Sequence, residues 1–188
     1  DCSIQRRNQK VIEEAPSPIL PPEVEKLLRG SAAKLAKMAE YRGVGTAEFL
    51  YQPQSGVSTF LEVNSRLQVE HTITECVLGC DLVEAQLDTV HGIPWSPDTT
   101  TPLGHAIEMR VNAENPEKSF QPSPGKLLIF RPPSGPGVRV DSGVNEGMSI
   151  PPDFDSMVAK VIVWGPTRSQ ASARARRAIQ ELDVVIED

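Results

Sequence analysis

Between Glu62 and Glu70, the side chains at even positions are Glu62, Asn64, Arg66, Gln68 and Glu70, all able to bind a cation or an anion. Successive side chains of an extended segment point to opposite faces, so these five share one face while Leu61, Val63, Leu67 and Val69 share the other. Carboxylate and amide oxygens suit a hard divalent cation, and a guanidinium suits a small planar anion. The spacing predicts a face that holds a metal and an oxyanion side by side.

A further carboxylate is brought in by the segment before it. Thr46 to Tyr51 is an apolar-rich run, Pro53, Gln54, Ser55 and Gly56 supply turn chemistry, and Val57 to Leu61 resume with strand formers, which predicts a hairpin. A loop centred near Ser55 sets Glu48 opposite Glu62. Like charges facing across a ladder destabilise it unless something positive lies between them, and a divalent cation meets that need. Asn64 adds a neutral oxygen two residues on, so Glu48, Glu62 and Asn64 are the expected metal ligands.

The elements that must position these residues fall into two parts. Cys2 to Ile12 reads as an extended segment, and Pro21 and Pro22 introduce a helix with Val24, Leu27, Leu28, Leu35 and Met38 near helical spacing, ending near Tyr41 and Gly43. After the hairpin, Thr72 with Glu75 forms a capping box for a short helix, Gly79 interrupts it, and Asp81 with Glu84 starts another that ends at Gly92. A linker rich in Pro and Thr, Ile93 to Leu103, separates the halves. Beyond it His105 to Val111, Lys126 to Phe130, Gly137 to Ser142 and Met157 to Trp164 read as strands, and Thr167 with Gln170 caps a final helix reaching about Leu182.

Composition excludes several function classes. The chain of 188 residues has a formal net charge of −6, whereas a general nucleic-acid binder is expected to be basic. No segment approaches the ~18 consecutive apolar residues of a membrane span. Cys2, Cys76 and Cys80 show neither a disulfide framework nor zinc spacing, which suits a reducing, cytoplasmic compartment. Pro124, Gly125 and Lys126 are a turn into a strand and not a phosphate loop, since no glycine precedes them at the required position and Leu127 stands where Ser or Thr is needed. The first residue is not Met, and the expectation is a piece of a longer polypeptide.

Five motifs together resemble biotin carboxylase, in that family's order and over nearly the whole chain: D-C-S-I-Q-R-R-N-Q-K at the start, G-T-A-E-F-L at Gly45 to Leu50, F-L-E-V-N-S-R-L-Q-V-E-H at Phe60 to His71, P-S-P-G-K at Pro122 to Lys126, and F-D-S-M-V-A-K at Phe154 to Lys160. The resemblance implies an α+β fold. Residues 1–95 would be the later part of an ATP-grasp catalytic region, antiparallel strands with helices. Residues 96–188 would be the mainly β biotin carboxylase C-terminal domain with its closing helix. The family's N-terminal domain and glycine-rich lid have no counterpart among these motifs, so the chain by itself is expected to be inactive.

The activity implied is ATP-dependent carboxylation of biotin from bicarbonate through carboxyphosphate. By the same resemblance Glu48, Glu62 and Asn64 match the residues holding Mg2+ or Mn2+, and Glu70 matches the general base for bicarbonate. Arg66, Gln68, Val69 through its backbone N–H, and Lys10 match bicarbonate binders, while Arg139 matches the arginine that binds bicarbonate and stabilises an enolate-like biotin. Gln5, Asn8, Leu50 and Leu61 match positions near the nucleotide. Asn8 departs from the histidine that many members carry: an amide hydrogen-bonds there but cannot titrate. The implied partners are a biotin carboxyl carrier domain, a carboxyltransferase and a second copy in a homodimer, with no nucleic acid and no membrane. Another ATP-grasp ligase, such as a carbamoyl phosphate synthetase relative, would share Glu48, Glu62 and Asn64. The run from Arg66 to Glu70, with Lys10 and Arg139, separates the two, and a non-catalytic interaction module is the third reading.

Overall fold

Arg7 and Asn8 both adopt positive φ, 50° and 64°, and turn the first residues of the computed structural model into a hairpin instead of one extended segment. Two residues of this kind match the twist of the strands they join, and Asn tolerates the left-handed region better than most side chains. The structure describes residues 1–96 and 101–187, so residues 97–100 of the expected linker lie outside it. The order is β1 (Ile4–Arg6), β2 (Gln9–Ala15), α1 (Pro22–Met38), β3 (Thr46–Gln52), β4 (Val57–Asn64), α2 (His71–Leu78), α3 (Leu82–Val90), β5 (His105–Asn112) and β6 (Glu114–Asn115). It continues with β7 (Gln121–Pro122), β8 (Gly125–Arg131), β9 (Val138–Ser142), β10 (Ser149–Ile150), β11 (Met157–Gly165), α4 (Arg168–Glu181) and β12 (Asp183–Ile186). This is the α+β arrangement that the sequence predicts.

The chain divides into two units that are not contiguous in sequence: Asp1–Pro16 groups with Pro102–Asp188, and Ser17–Thr101 forms the other. The reason is hydrogen bonding: β2 pairs antiparallel with β5, which draws the first hairpin into the sheet of the later half. That sheet has the order β1-β2-β5-β11-β9. Its core face carries Ile107, Met109, Val161 and Val163, packed with Ile12, Val138 and Val140. Ala171, Ala175, Ala178 and Leu182 recur at helical spacing on α4 and close over this face. Fully burying a Val or Ile side chain contributes roughly 2 kcal/mol, so this one layer holds much of the unit's stability. Thr167 caps α4 by accepting the Gln170 N–H at 3.3 Å, as its sequence indicates. A smaller sheet, β10-β8-β12, closes around Leu127.

In the other unit the β3–β4 hairpin is followed by two short helices. Asp81 accepts the N–H groups of Val83 and Glu84 at 2.9 and 2.8 Å, which starts α3 where predicted. Gly79, at φ 64°, ends α2, its N–H returning to the Glu75 carbonyl at 2.8 Å. The capping box expected at Thr72 is not formed. Helix α2 begins at His71 with Glu70 in the cap position, and Thr72 lies inside the helix, fully buried. Helix α1 buries none of its residues: Leu27, Leu35 and Met38 are exposed despite their helical spacing. Among the described residues no helix is long and apolar enough to cross a membrane.

Candidate active site

Glu48 and Glu62 are direct partners in the β3–β4 ladder, as expected from the sequence, although the turn itself, with Gln52 paired to Val57, would by unbroken counting set Leu61 opposite Glu48. Below them the register shifts: Phe49 pairs with Phe60, leaving Leu61 as the extra residue of a bulge. Directly paired residues share a face and neighbours on a strand do not, so the Glu48–Glu62 pair lies on one face and the Phe49–Phe60 pair on the other. Without the bulge, the register set by the turn would keep Phe49 against Phe60 but point Glu62 to the phenyl side and set Leu61 opposite Glu48; with it, the rings keep an edge contact of 5.7 Å between centroids and the carboxylates still meet. Leu50, two residues from Glu48, falls on the carboxylate face and is exposed, as is Leu61.

Asn64 closes the acidic pair. Its Nδ2 donates to Glu48 Oε1 at 3.2 Å and to Glu62 Oε1 at 3.0 Å, so an amide N–H group stands between two like charges. Gly45 makes that position possible: a Cβ there would meet the Asn64 carbonyl oxygen at 3.2 Å and the Tyr41 hydroxyl at 3.1 Å, tighter than ordinary contact. Among the described residues no three His, Cys, Asp or Glu side chains group to hold a metal. The donor set here is two carboxylates and an amide, which still fits a hard cation that takes neutral oxygen as readily as charged.

The extended segment ends at Asn64, so the parity that placed Arg66, Gln68 and Glu70 on the same strand face does not continue to them. Ser65 and Arg66 form a bend, and the His71 N–H bonds the Gln68 carbonyl at 3.3 Å, which begins the winding into α2. The loop nevertheless turns Gln68 inward: it is buried, and its Nε2 donates to Glu48 Oε1 at 3.4 Å. Arg66 is exposed and donates through Nη1 to the Leu67 carbonyl at 3.2 Å. Val69 and Glu70 occupy the turn before the helix, half-buried, and His71 Nδ1 lies 2.8 Å from the Gln68 carbonyl, bracing that turn.

The remaining predicted residues belong to the other unit. Gln5 and Lys10 are ladder partners across the first hairpin, where a register irregularity lies between Ile4 and Gln5. Gln5 Nε2 donates to the Cys2 carbonyl at 3.0 Å, and Asn8 sits in the turn itself. Arg139 lies on β9, where its Nε and Nη2 each donate to Asp141 at 2.8 Å, one bond to each carboxylate oxygen. Sequence reading did not single out the charged residues on the sheet behind this pair: Glu13 and Glu108, both fully buried, and Lys160. The available signal was a lone charge inside an apolar strand, as in M-V-A-K-V-I-V.

Elsewhere in this unit Glu14 accepts from Arg168 Nε at 2.7 Å and Nη2 at 3.0 Å, and lies 2.7 Å from His105 Nε2. Burial acts to raise the pKa of Glu14, but the hydrogen bonds and charges of Arg168 and His105 outweigh it and hold the carboxyl below its ordinary value. Burial, then the nearby charges of Glu75 and Asp81, push the Cys80 thiol up.

Comparison with known proteins divides the chain contiguously in sequence, unlike the two units of the structure. Residues 1–96 match the family described as carbamoyl-phosphate synthase L chain, ATP binding domain, and residues 108–186 match the biotin carboxylase C-terminal domain. Biotin carboxylase 1 of Bacillus subtilis is 49% identical over 183 residues, 96% of this chain and 41% of that protein. The biotin-dependent acyl-coenzyme A carboxylase alpha3 subunit of Mycobacterium leprae is 51% identical over 186 residues, 98% of this chain and 31% of that one. A crystal structure of the biotin carboxylase domain dimer of Hydrogenobacter thermophilus 2-oxoglutarate carboxylase, with MgADP, ADP and bicarbonate, matches with a TM-score of 0.93 at 40% identity. That match covers 99% of this chain and 41% of the other. The chain thus spans well under half the length of the relatives it matches.

Proposed function

The chain belongs to the biotin carboxylase family, and from that premise we propose that the protein to which it contributes carboxylates biotin on a carrier domain, using ATP and bicarbonate. The observation that carries this reading is the Gln68–Glu48 hydrogen bond, because it brings a residue of the expected anion set onto a residue of the expected metal set. A cation and an oxyanion held as neighbours are what phosphoryl transfer to bicarbonate requires. The division into an ATP-grasp region, 1–95, and a C-terminal domain, 96–188, is part of the same proposal, supported by the two family matches.

In this reading Glu48, Glu62 and Asn64 hold Mg2+, or Mn2+ in its place, with Asn64 offering its oxygen where its N–H group now bridges the carboxylates. The metal, when bound, neutralises charge on the ATP phosphates. Leu50, on the carboxylate face, and Leu61 supply apolar surface for the adenine, with Gln5 and Asn8 as further nucleotide contacts. Arg66, Gln68, the Val69 N–H and Lys10 orient bicarbonate, a planar anion that a forked guanidinium matches. Glu70 removes the bicarbonate proton, and Arg139 stabilises negative charge on the ureido oxygen of biotin as its nitrogen attacks. Carrier domain, carboxyltransferase and a second copy are the partners, in a reducing, cytoplasmic setting.

The test is ADP release by the full-length protein. Release that requires bicarbonate and rises with biotin supports the reading, and the isolated 188 residues are expected to show none. Release that ignores biotin, or that depends on ammonia, transfers the chain to the carbamoyl phosphate-forming ligases.

A further inference from the structure

Arg139 does not stand alone on its sheet. Ladder partners share a face, and the register places Arg139 beside Ile162, Ile162 beside Glu108 and Glu108 beside Glu13, while Asp141 pairs with Lys160 and Lys160 with Arg110. One face of β2, β5, β11 and β9 therefore carries three carboxylates and three cations, opposite to the face that packs under α4. The contacts join them in two groups, Arg139–Asp141–Lys160–Glu108 and Arg110–Glu13. Lys160 Nζ lies 3.8 Å from Asp141 Oδ2 and 3.9 Å from Glu108 Oε2, and Arg110 Nε donates to Glu13 Oε1 at 2.7 Å. Exposure rises along the series: Glu13 and Glu108 are at 0%, the Lys160 side chain at 10%, Asp141 at 33% and Arg139 at 42%. A buried, rigid end thus leads to an exposed guanidinium.

We propose that Asp141, held by Lys160, is the positioning residue for Arg139 in the biotin half of the reaction. This rests on the functional reading above, in which Arg139 meets an anionic substrate. A bidentate pair through Nε and Nη2 fixes the plane of a guanidinium and uses one edge of it; the edge formed by Nη2 and Nη1 is the one such a group presents to a second anion. Arg139 lies on an edge strand, with a long side chain that would otherwise sample many rotamers, and Asp141 removes that freedom before substrate arrives. Lys160 has a complementary role. A carboxylate beside only one arginine would compete with substrate for it, whereas a second cation draws charge from Asp141 and ties it to the buried Glu108.

The experiment is a double-mutant cycle in the full-length enzyme, with Asp141→Asn, Arg139→Ala and both together, following ATP-dependent carboxylation of biotin. Asp141→Asn is expected to lower kcat/KM for biotin roughly 10- to 100-fold, the scale of a misplaced catalytic group, while KM for MgATP and the melting temperature stay close to wild type. In the Arg139→Ala background the same change is expected to have no further effect, because it acts only through Arg139. Lys160→Gln is expected to repeat the Asp141→Asn signature; where it fails to fold, the cycle decides without it. An equal loss in both backgrounds, or equal losses for MgATP and biotin, overturns the proposal by showing a general structural role. An active wild type with unaltered Asp141→Asn kinetics sinks this inference alone. A wild type that does not carboxylate biotin at all sinks the functional reading beneath it.

Discussion

Glu48 faces Glu62 directly across the β3–β4 ladder, and the Asn64 amide bridges the two with one N–H to each. Opposed carboxylates destabilise a hairpin by an amount comparable to other cross-strand pairs, about 0.5 kcal/mol. Neutralising one should therefore stabilise the metal-free protein slightly while removing a charged ligand. Glu62→Gln is expected to raise the melting temperature in EDTA by a degree or so, on the order of what such an energy produces, and to abolish the further rise that Mg2+ gives wild type. Thermal melts with and without Mg2+ check both signs. A variant that melts lower in EDTA yet keeps its Mg2+ response would mean that the pair is structural.

Gly45 supports the same site by having no side chain. A methyl group there would press on the Asn64 carbonyl at 3.2 Å and on the Tyr41 hydroxyl at 3.1 Å, and that hydroxyl is already committed to the Val44 carbonyl at 3.0 Å. Overpacking of this kind costs about 1–3 kcal/mol when neighbours have little room to yield. Gly45→Ala is expected to weaken MgATP binding several-fold through displacement of Asn64, with little change in KM for biotin. Parallel titrations of the two substrates would show it, and equal changes in both would point to general unfolding instead.

The Glu48–Glu62 pairing was legible in the sequence because a hairpin sets partners by counting from its turn, but the count comes out right only through the bulge at Leu61: from Gln52 paired with Val57, an unbroken ladder would set Leu61 opposite Glu48. The segment from Ser65 to Glu70 was legible only in part. Alternation carried Glu62 and Asn64 correctly but failed at Ser65, where the backbone bends, and no period-two pattern could report that Gln68 would turn back to Glu48. In the fold, the strands and the α4 cap followed from local pattern. Pairing of β2 with β5 did not, because residues about a hundred positions apart in sequence meet through hydrogen bonds that any strand can make. For the same reason the charged face holding Glu13, Glu108 and Lys160 stayed hidden: each is a lone charge in its own strand, and only the register assembles them.

Glu14 gives the fold a defined acid sensitivity. Its folded pKa is depressed, so the carboxylate form favours the native state. This contribution is fully present above the unfolded value near 4.5 and is lost as pH falls through the lower, folded value. Arg168 is half exposed, and solvent screening keeps the contribution to about 1 kcal/mol. Glu14→Gln is expected to destabilise the protein at pH 7 and to converge with wild type only as the pH falls below the lower, folded value, where both side chains are uncharged. Urea melts at pH 7 and at pH 3 measure the two gaps. A gap that is constant with pH would show that packing, and not charge, holds Glu14.

Glu70 and Glu62 are separated by the bend at Ser65 and by different secondary structure, one in the turn that opens α2 and the other on β4. The two carboxylates should therefore be separable in function, although in an unbroken strand they would lie on one face. Glu70→Gln keeps shape and hydrogen-bonding reach but cannot accept the bicarbonate proton, so carboxylation in the full-length protein is expected to fall by about 10²–10⁴, the range for a lost general base. Nucleotide affinity should stay within about twofold of wild type, because a glutamine there leaves the Glu48, Glu62 and Asn64 set unaltered. Glu62→Gln should show the opposite pattern, with MgATP affinity reduced first. Equilibrium binding of MgATP to both variants, alongside bicarbonate-dependent turnover, distinguishes the two roles. A loss of nucleotide affinity in Glu70→Gln as large as that in Glu62→Gln would mean that both carboxylates serve the metal.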